Sequence, residues 1–68
     1  MKLPVVSGKK IISVLVKKWY YIRSQKGNHV HLRHLVKISV TVPNHRVIAK
    51  GTLKEIMNAT GLHSSDLQ

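Results

Sequence analysis

The chain has 68 residues, with 12 Lys and Arg against 2 Asp and Glu, 5 His and no Cys. That length holds a single domain, residues 1–68, and no apolar run approaches the ~20 residues of a membrane helix. Without Cys there is no disulfide brace and no thiolate nucleophile.

The formal charge of +10 predicts attraction to a polyanion. Nucleic acid ranks first, an acidic protein second and a membrane surface third. The apolar share of 43% is that of a folded protein rather than a disordered one. Around Lys2 and Pro4 there is no apolar leader, so a signal peptide is not expected and a cytoplasmic location is.

Taken in chain order, Ser7 reads as the N-cap of a first helix. Ile12, Leu15, Val16 and Trp19 recur at i, i+3, i+4 and i+7, which predicts their common burial on one helical face. From Tyr20 the period becomes two. Tyr20 and Ile22 share one face, while Tyr21, Arg23 and Gln25 share the other. Lys26-Gly27-Asn28 reads as a turn. Val30 and Leu32 then alternate with His29, His31 and Arg33. A short turn at His34-Leu35-Val36 leads to a third strand, with Ile38, Val40 and Val42 on its apolar face, and Pro43 ends it. A second helix follows Lys50-Gly51-Thr52, buries Leu53, Ile56, Met57 and Thr60, and stops at Gly61. The expected fold is α+β: an α-β-β-β-α chain with a three-stranded antiparallel sheet and two helices packed on one face.

The catalytic inventory is short. Glu55 and Asp66 are too scattered for paired-carboxylate hydrolysis. No serine sits on a nucleophile elbow, and no glycine loop cradles phosphate. Histidine remains. His29 and His31 share a strand face roughly 6.5–7 Å apart along the chain. Three readings compete: exposed polar surface, a metal site completed by His45, or acid–base work on RNA. His34 reads as plain surface. The cationic surroundings disfavour a divalent metal, so no metal or other cofactor is expected. RNA carries its own nucleophile, the 2′-hydroxyl. Imidazole suits the two proton transfers, and Arg and Lys suit the phosphate. The same composition also suits a non-catalytic RNA-binding module.

Several fragments together carry a family resemblance: Lys2-Leu3-Pro4, Ser7-Gly8-Lys9, Gln25-Lys26-Gly27-Asn28-His29, Thr41-Val42-Pro43-Asn44-His45, Lys50-Gly51-Thr52-Leu53 and Gly61-Leu62. In order and spacing the chain resembles the HicA-type mRNA interferases, small toxins of toxin–antitoxin pairs. The resemblance implies a double-stranded-RNA-binding-like fold and metal-independent endoribonuclease activity on mRNA. It implies a HicB-type antitoxin as protein partner and His29, the histidine of the Gly-Ser/Asn-His motif, as the catalytic residue. His31 and His45 are candidates for a second acid or base. In such folds the first helix, the first strand turn and the start of the second helix line the RNA-facing surface. Those places hold Lys9 and Lys10, then Lys26, then Lys50 and Thr52, with Arg23 and Asn28 flanking His29. Two departures stand out. Asn28 occupies a position where Ser is commoner, and Trp19 stands where family members carry Gly before the first strand. Trp19 is expected in the core.

Overall fold

A computed structural model describes residues 3–68; Lys2, in the first of the fragments above, lies outside them. The elements are α1 (Gly8–Lys17), β1 (Tyr21–Lys26), β2 (His29–Arg33), β3 (Val40–Pro43), α2 (Lys50–Thr60) and a closing 3-10 turn (Ser64–Leu67). The sheet is antiparallel, in the order β1-β2-β3. Helix α1 packs on β1 and β3, and α2 packs on β3. The α+β expectation and the element order agree with this architecture.

Ser7 caps α1 as expected, its Oγ accepting the Lys10 N–H at 3.0 Å. The buried face is not the expected one. It comprises Gly8, Ile11, Val14 and Leu15, with Ile12 half-buried and Val16 exposed. Gly8 fixes the rotation. A Cβ there would collide with the Pro43 carbonyl oxygen and lie 2.8 Å from Asn44 Cα. The helix therefore turns its glycine edge onto the end of β3, and Ile11 and Leu15 follow Gly8 into the core.

Trp19 is not core; it is 83% exposed. Its φ of +74° is the left-handed conformation that a helix C-terminus commonly demands. The Tyr20 N–H reaches back to the Leu15 carbonyl at 3.0 Å, and the Trp19 N–H to Val16 at 3.2 Å. Buried Tyr20 and Leu15 flank this Schellman-type ending. Glycine adopts such a φ without strain, and Trp19 does not.

β1 is an edge strand, exposed at every residue. Its register with β2 shifts between Ile22 and Ser24, so Arg23 is the extra residue of a β-bulge. Ile22 opposes Leu32, Ser24 opposes His31, Gln25 opposes Val30 and Lys26 opposes His29. The expected alternation therefore fails halfway along the strand: Gln25 moves to the helix side, and Ser24 and Lys26 move to the outer face. The hairpin closes through Gly27, whose φ is +59°.

The third strand is shorter than expected, and Ile38 lies outside it, 64% exposed. Side chains take the hydrogen bonds that a ladder would use. His34 Nδ1 accepts the N–H groups of Val36 and Lys37 at 3.0 and 3.1 Å. Tyr20 Oη donates to the Ile38 carbonyl at 3.1 Å, and Lys37 Nζ donates to the Thr60 carbonyl at 3.3 Å. His34 also lies against the Tyr20 ring, centroids 4.9 Å apart.

Helix α2 follows the sequence closely. Leu53, Ile56 and Thr60 are buried, and Gly61 ends it at φ +77°. The core joins Ile11 and Leu15 of α1, Val30, Leu32 and Val42 of the sheet, and Leu53 and Ile56 of α2. The closing turn adds Leu67. Asp66 accepts the His63 N–H at 2.8 Å and pairs with Lys18 at 3.4 Å. Its carboxyl is held below the ordinary carboxylate range, first by that backbone bond and further by Lys18. Burial pushes the Tyr20 hydroxyl pKa up.

Candidate active site

Three segments converge at one end of the sheet. The Asn44 N–H donates to the Asn28 carbonyl at 2.6 Å, which ties the β3 exit to the β1–β2 turn. The Gly8 N–H donates to the His45 carbonyl at 2.9 Å, which brings in the start of α1. The Ile48 N–H reaches Val6 at 2.9 Å and secures the rest of the loop. This end therefore gathers Lys9 and Lys10, the Lys26-Gly27-Asn28 turn, His29 and His45.

His29 opens β2, opposite Lys26 on one side and Pro43 on the other. It is exposed. Because Val30 and Leu32 point to the helices, His29 and His31 point away from them. His31 is half-buried between Thr41 and Ser24, its register partners. Its Nδ1 lies 2.8 Å from Thr41 Oγ1. His45 is exposed, two residues beyond Pro43.

Arg23 lies at the bulge beside His31 rather than beside His29. Lys50 and Thr52 open α2 without a side-chain cap on the helix, and Thr52 lines a different hollow with Thr41 and Glu55. The observed contacts do not join these two residues to His29. Both acidic side chains lie off the outer sheet face: Glu55 is on α2, and Asp66 is in the closing turn. Among the described residues no three His, Cys, Asp or Glu come close enough to share a metal ion.

Sequence reasoning missed one group of residues. Ser24, Arg33, Ser39 and Thr41 line an open groove with Arg23 and His31, and Leu32 and Val40 complete its wall. Arg33 and Thr41 carried a readable signal, since both alternate outward with His31. Ser24 did not, because the bulge that turns it outward leaves no mark in the residue pattern.

The family comparison bears directly on this end of the molecule. A protein-family model described as the HicA toxin of bacterial toxin-antitoxin matches residues 8–62. The chain belongs to the HicA toxin family. No curated protein and no solved structure matches it. The matched span of this HicA-family chain begins at Gly8, whose close approach to Pro43 and Asn44 builds the site, and closes just beyond Gly61, which ends α2. It is thus a toxin of the toxin–antitoxin type. No helix among the described residues is long and apolar enough to cross a membrane.

Proposed function

We propose that this toxin is a metal-independent endoribonuclease that cleaves mRNA, with His29 as its catalytic residue. The observation that carries the reading is the exposure of His29 at the hairpin edge, opposite Lys26. An imidazole there can accept the proton of a ribose 2′-hydroxyl. The 2′-oxygen then attacks phosphorus, the P–O5′ bond breaks, and the leaving 5′-oxygen takes a proton. Cations at the phosphate stabilise the crowded phosphorane. The products are a 2′,3′-cyclic phosphate and a free 5′-hydroxyl.

A second proton-transfer group fits this scheme. His31 shares the face of His29, and its ring is held by Thr41. His45 approaches from the loop tied to the same end. Lys9, Lys10, Lys26 and Asn28 suit phosphate contacts around His29, while Lys50 and Thr52 suit contacts further along the RNA. The expected protein partner is a HicB-type antitoxin that covers this surface, and the expected location is the cytoplasm.

The chemistry is tested by the ends it leaves. RNA cleaved by the purified toxin should carry cyclic phosphates, and 2′-O-methyl substitution at the cleaved nucleotide should stop the reaction. Cleavage of the methylated strand would remove the 2′-hydroxyl mechanism. Binding of RNA with no cleavage at all would leave a non-catalytic RNA-binding module instead.

A further inference from the structure

On the footing of the RNA-cleaving reading, we propose that the outer sheet face next to His29 is a phosphate-binding track for the single RNA strand flanking the cleaved bond. Its centre is an open groove of about 460 Å³, where Leu32 and Val40 form part of the wall and the polar lining is Arg23, Ser24, His31, Arg33, Ser39 and Thr41. Two guanidinium groups, an imidazole and three hydroxyls face one concavity. Every one of these side chains can donate a hydrogen bond, and no carboxylate lines the groove.

The β-bulge is the device that builds the track. A regular ladder after Ile22 would place Gln25 opposite His29 and turn Ser24 toward the helices. The extra residue at Arg23 puts both Arg23 and Ser24 against His31 and brings Lys26 opposite His29. A cation thus faces each of the two histidines. Guanidinium groups that share a groove repel each other, and a bound phosphate relieves that repulsion through charge-assisted, bidentate bonds.

The direction of the track follows from β2. His29, His31 and Arg33 succeed one another on its outer side at roughly 6.5–7 Å intervals. A strand of RNA laid along β2 therefore passes from the reacting group to the groove within about one nucleotide. Thr41 holds the His31 ring at the join. The groove's volume is on the scale of one nucleotide's backbone, so the track is assigned to a single strand.

The test uses a fully 2′-O-methylated single-stranded RNA oligonucleotide, which this chemistry cannot cut. Its affinity is measured across a salt series for the wild-type protein, for the Arg23→Gln/Arg33→Gln variant, and for a Lys17→Gln/Lys54→Gln control. The control removes equal charge from exposed helix positions. The groove variant should bind about tenfold more weakly or worse, and its salt slope should fall by about 0.7 for each phosphate no longer neutralised. The control should lose far less, and an otherwise identical duplex should bind the wild type more weakly than the single strand.

Equal losses in groove and control variants would overturn the track, as would no binding to the oligonucleotide or preference for the duplex. Loss of antitoxin binding with RNA affinity intact would instead assign the groove to a protein partner. A His29→Ala protein that cuts natural RNA normally would sink the catalytic reading while leaving the groove result standing.

Discussion

The two faces of this small sheet are built from the same strands and have opposite chemistry. On the helix side, Val30, Leu32 and Val42 are almost completely buried. On the outer side, the residues between and beside them are His29, His31, Arg33, Thr41 and Pro43. A period of two separates the buried residues from those of the proposed site, residue by residue. One face can therefore carry a dense cationic surface without placing any charge in the core. The arrangement teaches that the proposed site depends on register, because a slip of one residue would bury the histidines.

Substitution on each face should separate the two roles. His29→Ala should reduce RNA cleavage by about 100-fold or more, yet leave the melting temperature nearly unchanged. Leu32→Ala, three residues away on the same strand, should cost about 2–5 kcal/mol of stability, read by denaturant unfolding. A His29→Ala protein that unfolds as readily as Leu32→Ala would break the division between faces.

A smaller effect tests the junction of helix and sheet. Gly8→Ala should destabilise by about 1–3 kcal/mol, because the new methyl meets the Pro43 backbone. It should also lower cleavage, since the same contact anchors the loop of His45. In the opposite direction, Trp19→Gly should stabilise by about 1 kcal/mol by relieving the left-handed φ. A melting curve that moves down for Trp19→Gly would mean that the exposed indole contributes more than its backbone strain costs.

The smallest effect is in pH. The Asp66 pKa is depressed in the folded chain by the His63 N–H and Lys18. Its contribution is therefore present above the unfolded carboxylate range and is lost as pH falls through the folded value. The stability difference between wild type and Asp66→Asn should shrink as pH drops below about 4. A difference that grows with acidification would reverse the sign.

Much of this was legible in the residue pattern. The alternation of Val30 and Leu32 with His29 and His31 located β2 and both its faces, and Gly27 and Gly61 marked the two left-handed positions they occupy. The family fragments gave the toxin assignment and His29 as the residue to examine. What the pattern hid was set by tertiary contact. Helix α1 carries two apolar stripes, and only the approach of Gly8 to Pro43 selects Ile11 over Val16. Trp19 is apolar and in helical phase, yet the chain reverses there and leaves it in solvent. The β2–β3 connection reads as strand through Ile38, but His34 and Tyr20 claim its backbone groups. The bulge at Arg23 is invisible in composition, and it decides which cations stand beside the histidines.

One measurement bears most directly on the central role of His29. Purified wild-type and His29→Ala proteins are incubated with single-stranded RNA in the presence of EDTA, and cleavage rates are compared. The wild type should cut with the chelator present, and the variant should fall by about 100-fold or more while retaining its fold. Equal rates for the two proteins, or wild-type cleavage abolished by EDTA, would contradict a metal-independent reaction carried by this imidazole.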